Sequence, residues 1–339
     1  MHTKIEFANF VCTFGDSGSN GLLSRFTEVV WPAFKSRAFV RKLKQGTIFF
    51  IDSEIVKVTD EDGQSWTILC GRIVKDTMLV REQVFRDQLI QDHKELRNSP
   101  SSLFFIFLEN HRLMYVREVV GAPSLLTFGS TCTRIFNDRH KQFLRELKKQ
   151  SRHEHAINPK RRILSLAELE EEHPFPLVRV TPLTDKGDLQ QFIEKFERVE
   201  RLSIKLLPTN HEEINNDQFW KKLDGIGHEV GSNPQVIFHD KKKKGLSPDV
   251  VVEQAASASE FGNAAISIRG TDLAGGVLKG NNTDFTHAVP APEISRKIAV
   301  AAKTVANAFK QSLKSGLIKV PSATTQVVSM ISKIFRELS

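Results

Sequence analysis

One pair of carboxylates has a spacing that could support metal-dependent hydrolysis. Asp249 follows Pro248, and Glu253 lies four residues further along. Nucleases of this kind hold a divalent ion between carboxylates and activate water with help from a nearby lysine. The lysine would be required at position 255, which is Ala255. Because proline is also favoured in the first turn of a helix, Pro248 is explained without any metal.

Two further groupings point only weakly to chemistry. Asp52, Glu54 and Lys57 approach the same nuclease pattern, but Glu54 and Lys57 are one residue too far apart. The segment His153–His155 contains two histidines without a cysteine or carboxylate at zinc spacing. The common nucleotide-binding, zinc-protease and serine-hydrolase motifs do not occur. The sequence therefore predicts no catalytic residue, no metal and no cofactor, with a metal-dependent nuclease as the alternative.

The overall charge favours anionic partners. Lysine and arginine number 48 against 40 aspartate and glutamate residues, which gives a formal charge of +8 over 339 residues. A basic chain of this kind favours nucleic acid or an anionic surface over an acidic partner. The three cysteines, Cys12, Cys70 and Cys132, form no paired motif, and no signal-like or 18-residue apolar segment is present. We therefore expect a cytoplasmic protein.

The clearest basic pattern is in the segment 291–315, which has helical periodicity. Its apolar side consists of Ile294, Ile298, Val305 and Phe309. The opposite side carries only positive charge, from Arg296, Lys303, Lys310 and Lys314. The pattern predicts a helix that packs through its apolar side, in the protein core or against a second copy, and presents cations to solvent or to a polyanion.

Other basic residues are concentrated in three places, the first of which is formed by Arg37, Arg41, Lys42 and Lys44. Residues 138–162 hold nine lysines and arginines against three acids. The candidate DNA contacts there are Lys148, Lys149, Arg152, Lys160, Arg161 and Arg162. A run of four lysines follows later, at Lys241, Lys242, Lys243 and Lys244. Each group alone is typical of a solvated surface. If they contact phosphates together, binding should be independent of base sequence and strongly dependent on salt.

The elements expected to position these residues indicate an α+β fold with a β-rich antiparallel N-terminal domain and a mixed α/β C-terminal domain closed by amphipathic helices. Residues 3–14 alternate as a strand does, and 46–120 predict an antiparallel meander. Within it, 85–99 predict a short helix or a loop. Ser124 is a candidate N-cap for a helix reaching Lys149. We place the N-terminal domain at 1–150, a basic-to-acidic linker at 151–174 and the C-terminal domain at 175–339.

The second half predicts a strand, a helix and a second strand in βαβ order between residues 176 and 209. The segment 216–227 predicts a helix capped by Asn215 or Asn216 and ending near Gly225. The run of four lysines precedes Ser247 and Pro248, which predict the start of a further helix. Four consecutive lysines repel one another, so we expect them to be exposed or disordered.

Several strings, in this order, resemble those of a family of phage-defence proteins. They are SLFFIFLENHRLMYVREVVG at 102–121, LVRVTPLT at 177–184, ERLSIKLLP at 200–208, ISIRGTDLAGGVL at 266–278 and PEISRKIAVAAKTVANAF at 292–309. Together with the order of the elements, they are similar to phage-exclusion proteins of the RexA type and to the KwaB proteins of the Kiwa anti-phage system. The resemblance covers roughly 45–315, and the first 40 residues and the final helix lie outside it.

This resemblance implies a cytoplasmic anti-phage protein that binds double-stranded DNA without sequence preference. It also implies a homodimer or higher homo-oligomer that signals to a membrane protein encoded nearby, which could recruit it to the inner membrane. The family provides no signature residues, so the candidate contacts rest on charge. The alternatives are the nuclease with Asp249 and Glu253, and an interaction module that binds an acidic phage protein or anionic lipid headgroups.

Overall fold

The fold is α+β and contains two antiparallel sheets. The computed structural model describes residues 3–15, 21–59, 63–86, 88–207, 218–259, 261–320 and 323–338, with side chains described except at 79–95, 218 and 228. The strands are β1 (Lys4–Phe14), β2 (Arg41–Leu43), β3 (Gly46–Thr59), β4 (Ser65–Arg86), β5 (Gln88–Asn98), β6 (Ser101–Phe107), β7 (Arg112–Arg117), β8 (Pro176–Pro182), β9 (Phe196–Leu206), β10 (Gln235–His239), β11 (Ala264–Asp272), β12 (Val277–Asn281) and β13 (Ala288–Pro290).

Helices cover the sheets and connect them. They are α1 (Trp31–Lys35), α2 (Leu125–Ile157), α3 (Leu166–Glu172), α4 (Lys186–Ile193), α5 (Gln218–Val230), α6 (Pro248–Ser259), α7 (Ile298–Lys314) and α8 (Thr325–Leu338). Short helical turns occupy Leu22–Arg25, Phe26–Val30 and Asn282–Phe285. None of the helices in the described part of the chain is long and apolar enough to cross a membrane.

The larger sheet has the strand order β13-β1-β7-β6-β4-β3-β2, with β5 paired to β4 and β8 paired to β1. Its central strands are buried on both faces, which explains why β6 reads as a continuous apolar run rather than an alternating one. Phe104 and Ile106 face one core, and Phe105 and Phe107 face the other. The antiparallel meander predicted for 46–120 is confirmed by the pairing of β3, β4, β6 and β7.

Helix α2 covers one face of the larger sheet, together with α8. Its start is confirmed at Ser124, whose hydroxyl accepts a hydrogen bond from the backbone N–H of Thr127 at 3.2 Å. Phe128 of α2 lies 5.2 Å from Phe104 of β6 between ring centroids, and both are fully buried. The helix continues to Ile157, so part of the segment predicted as a linker is helical.

Helix α7 covers the opposite face. Phe309 is fully buried, and its ring centroid lies 4.5 Å from that of Phe107. The apolar side predicted from the sequence therefore packs inside this chain. The helix begins at Ile298, later than expected, and Arg296 precedes it. The Arg72 guanidinium donates a hydrogen bond to the Arg296 carbonyl at 2.7 Å, which ties the segment before the helix to β4.

Both halves of the chain contribute to the larger sheet. Strand β8 pairs with β1 from Ala8 to Phe14, and β13 pairs with β1 from Lys4 to Glu6. The smaller sheet is formed by β9 to β12, which lie between β8 and β13 along the chain. The strands of the two sheets therefore do not divide at the predicted linker, 151–174. The sequence could not show this, because the pairing joins residues that are far apart along the chain.

The smaller sheet has the order β10-β9-β11-β12. One face carries Leu202, Ile204, Ile266 and Ile268, which are buried in a core with α4 and α6. Apolar and polar residues alternate along its strands, as expected for a sheet covered on one face only. The second face is open to solvent and carries the candidate site.

Three local predictions differ from the structure. Residues 88–98 form strand β5 rather than a helix or loop, because they pair with β4. Strands β8 and β9 belong to different sheets, so they and α4 do not form a βαβ unit. Helix α5 continues past Gly225 to Val230, while Asn215 and Asn216 lie outside the described residues. The predicted first helical position at Pro248 is confirmed.

Candidate nucleic-acid interface

The open face of the smaller sheet presents a row of positive charge. Because side chains alternate between the faces of a strand, Arg201 and Lys205 of β9 point away from the core that contains Leu202 and Ile204. Arg269 of β11 and Lys279 of β12 are exposed on the same open face. We call the exposed residues Arg201, Lys205, His239, Arg269 and Lys279 the basic face.

Four of these side chains form a single line across all four strands. Arg201 is the direct partner of His239 on one side and of Arg269 on the other. Arg269 is in turn the direct partner of Lys279. Since neighbouring strands lie about 4.8 Å apart, the row from β10 to β12 spans ~14 Å. The sheet thus holds four basic side chains at a regular spacing on a rigid surface.

The row is poorly compensated by acidic groups. Among the described residues, the side chains of Arg201, Lys205, Arg269 and Lys279 form no hydrogen bond or ion pair. Glu200 lies near Arg269, but its carboxylate accepts hydrogen bonds from Arg198 at 2.6 Å and from Thr271 at 3.1 Å. These bonds lower the pKa of the Glu200 carboxyl. Because the charge of Arg198 balances that of Glu200, the basic face keeps a net positive field.

The row of like charges lowers the stability of the protein when no anion is bound. Like charges directly opposite each other on paired strands are destabilising. Arg201 faces Arg269, and Arg269 faces Lys279, so two successive pairs are of this kind. An anion that binds across the row relieves this repulsion. Arginine and lysine are also the side chains that contact phosphate most often, with arginine able to form two parallel hydrogen bonds.

The four lysines 241–244 adjoin the row at its β10 end. They follow His239 and Asp240 and form a tight, exposed turn, which we call the lysine turn. The turn is anchored to β9 at both ends, by the Asp240 N–H to the Glu200 carbonyl at 2.9 Å and by the Leu246 N–H to the Val199 carbonyl at 2.8 Å. The predicted exposure is therefore confirmed, and the backbone of the turn is held in place by the sheet.

The cations predicted around α2 are partly neutralised. Lys149, Arg152 and Lys160 are exposed, and Lys148 is half-buried. Arg161 pairs with Glu154 at 2.7 Å between nitrogen and oxygen. The last of the group, Arg162, pairs with Glu168 of α3 at 2.5 Å. The acidic helix α3 thus compensates part of the basic segment before it.

The cations predicted on α7 lie elsewhere. Lys303 and Lys314 are exposed, and Lys310 is half-buried. Arg296 is exposed but lies before the helix begins, so it does not continue the helical row. Helices α2 and α7 pack in separate cores on opposite faces of the larger sheet. The two predicted clusters therefore do not lie on one flat surface.

The carboxylates considered for a nuclease lie on one turn of α6. Asp249 and Glu253 are both exposed. Within the residues that the structure describes, no group of three His, Cys, Asp or Glu side chains is arranged to hold a metal ion. Asp52, from the second nuclease-like grouping, pairs with Arg72 at 3.0 Å.

The basic face was not predicted from the sequence. Lys205, Arg269 and Lys279 each lie singly among apolar, small or polar residues, and Arg201 lies in a stretch of mixed charge with Glu197, Arg198 and Glu200, so no local excess of positive charge marks them. Only the pairing of β9, β11 and β12 brings them into line. One signal was present, because period-two alternation in 201–205 and 265–269 places their basic residues on the polar side of each strand.

Comparisons with known proteins give no match from which a function could be assigned. No protein-family model matches the chain, and no curated protein matches it significantly.

Proposed function

We propose that this protein binds the phosphate backbone of double-stranded DNA, without sequence preference, through the basic face and the adjoining lysine turn. The observation that carries the proposal is the cross-strand row of His239, Arg201, Arg269 and Lys279. Duplex DNA presents one negative charge per about 1.7 Å of axis, so a row of ~14 Å meets more phosphates than it has cations.

The composition of the face favours phosphate contacts over base contacts. Its other outward positions are polar, small or aliphatic, such as Ser203, Ser267 and Ile237. Sheets that bind single strands carry aromatic rings on which the bases stack. The outward positions on β9, β10 and β11 carry no such ring apart from the His239 imidazole at the row's end. Phosphates along a duplex are therefore the ligand that fits this face best.

A role in defence against phage follows from the resemblance rather than from the geometry. The RexA-type and KwaB-type resemblance supports DNA binding as part of an anti-phage response, with self-association and a membrane protein partner as further components. In this proposal the protein acts as a sensor or effector that engages DNA through charge. No catalytic residue, metal or cofactor is assigned to it.

The proposal is tested by gel-shift titration of unrelated duplexes of equal length over a range of salt concentrations. We expect similar affinities for all duplexes. With four phosphate contacts from the lysine and arginine side chains of the basic face, the slope of log K against log salt should be about −3.6, since each contact contributes about −0.9, and contacts from the lysine turn should make it steeper. Strong preference for one sequence, or binding that is insensitive to salt, contradicts the proposal. A single-stranded competitor of the same length should displace the duplex poorly.

A further inference from the structure

The lysine turn is built around one acidic side chain. The Asp240 carboxylate accepts hydrogen bonds from three backbone N–H groups of the turn: Lys242 at 3.1 Å, Lys244 at 3.3 Å and Gly245 at 2.8 Å. Among these donors the Gly245 N–H contributes most to lowering the pKa of the Asp240 carboxyl. The carboxylate thus occupies a concave array of amides of the kind that binds anions.

The turn also holds a backbone conformation that requires support. Lys243 has a φ of 55° and Gly245 a φ of 87°. A positive φ is uncommon for lysine and costs free energy unless the surroundings enforce it. The three hydrogen bonds to Asp240 and the two anchoring bonds to β9 are the interactions that enforce it here. Without Asp240, mutual repulsion among the four lysines would favour more extended chains.

We infer that Asp240 is a positioning residue for DNA binding: its carboxylate orders the lysine turn beside the basic face, so that the lysines meet the phosphates without first losing conformational freedom. The inference rests on the proposed function. Its expected outcome differs from the one that charge alone predicts. On charge alone, removal of a negative charge from a DNA-binding surface strengthens binding, whereas we expect removal of the Asp240 carboxylate to weaken it. A pre-ordered loop binds more tightly than a loop that must be ordered on binding.

The test compares Asp240→Ala with Glu197→Gln. Glu197 is exposed on β9, so its neutralisation changes the charge by the same amount without touching the turn. We expect Asp240→Ala to weaken duplex binding about threefold to tenfold, the range expected for ordering side chains on binding. Its salt slope should stay that of the parent protein, because the lysines still reach the phosphates. Glu197→Gln should bind as tightly as the parent protein or more tightly.

Two further measurements distinguish a positioning role of Asp240 from a general loss of structure in the variants. Asp240→Asn keeps one acceptor oxygen for the Lys242 and Lys244 N–H groups, and we expect intermediate affinity. Amide hydrogen exchange at Lys242 and Lys244 should accelerate in Asp240→Ala while exchange in β9 stays slow.

Equal or tighter binding by both Asp240 variants overturns the inference, as does a reduced salt slope in Asp240→Ala. Failure of the parent protein to bind any duplex is a different result. It overturns the proposed function itself, and the inference with it.

Discussion

Arg201 and Arg269 lie directly opposite each other on neighbouring strands of the smaller sheet, with exposed side chains on its open face. Lys279 continues the line beyond Arg269. A sheet selected only for stability would place an acid or a neutral residue at one of these positions, because facing like charges are unfavourable. The arrangement is explained if the row binds an anion.

We expect Arg269→Gln to raise the free energy of unfolding while it weakens DNA binding. The substitution removes the charge that faces both Arg201 and Lys279. Cross-strand charge pairs contribute roughly 0.2–1 kcal/mol each, and loss of the attraction between Arg269 and Glu200 offsets part of the gain, so the net gain should be a few tenths of a kcal/mol. Urea unfolding at low salt measures the stability, and duplex titration measures the binding.

The matched control is Lys205→Gln. Lys205 lies on the same face but is paired with Gln235 and Ala265, which carry no charge. Its stability should stay within about 0.5 kcal/mol of the parent protein, as is usual for surface substitutions. If Arg269→Gln is no more stable than Lys205→Gln, charge repulsion in the row is negligible and does not indicate that the row binds an anion.

Replacement of Phe309 by alanine should strongly destabilise the fold. The side chain is fully buried and contacts Phe107 and Trp66 between α7 and the larger sheet. Loss of a buried phenylalanine costs about 3–5 kcal/mol. Lys303→Ala, on the exposed side of the same helix, should change the unfolding free energy by less than about 0.5 kcal/mol. Similar stabilities for the two variants would show that α7 does not pack as described.

The stability of the protein should fall as the pH is lowered from about 6.5 to about 4, in part because of His140. Burial, with His173 and Arg25 nearby, lowers the pKa of His140 to about 4. In this interval the unfolded chain binds the proton and the folded chain does not, so acidification favours unfolding. The maximum slope for one such group is about 1.4 kcal/mol per pH unit.

His140→Leu tests this dependence. The ring packs against Phe175 at 4.7 Å between centroids, so an apolar replacement suits its surroundings. Urea unfolding of both proteins across the interval should show a flatter pH profile for the variant. Parallel profiles would mean that His140 keeps an ordinary pKa in the folded protein.

Local signals in the sequence predicted much of the fold. The apolar side of α7 and the cap at Ser124 depend on residues close together in the chain, and both are present in the structure. The strand β5 was missed because its stability comes from pairing with β4. The participation of β8 and β13 in the larger sheet depends on contacts with β1 across most of the chain, for which no local pattern exists.

The candidate site was predicted less completely. Counting charge along the chain identified the lysine turn but overlooked the basic face, because Arg201 and Arg269 are separated by 67 intervening residues in sequence and adjacent in space. Conversely, some predicted contacts such as Arg161 and Arg162 are paired with acids that the fold brings to them. Linear charge density therefore differs from the charge that a surface presents.

DNA binding through the basic face is tested by the salt dependence of duplex binding in the double variant Arg201→Gln/Arg269→Gln. The α7 pair Lys303→Gln/Lys310→Gln, measured in parallel, tests the row predicted from the sequence. We expect the sheet variant to bind weakly and to lose about 1.8 from the magnitude of the salt slope, which corresponds to two phosphate contacts. An unchanged slope and affinity in the folded sheet variant would contradict the assignment of the basic face as the DNA-binding surface.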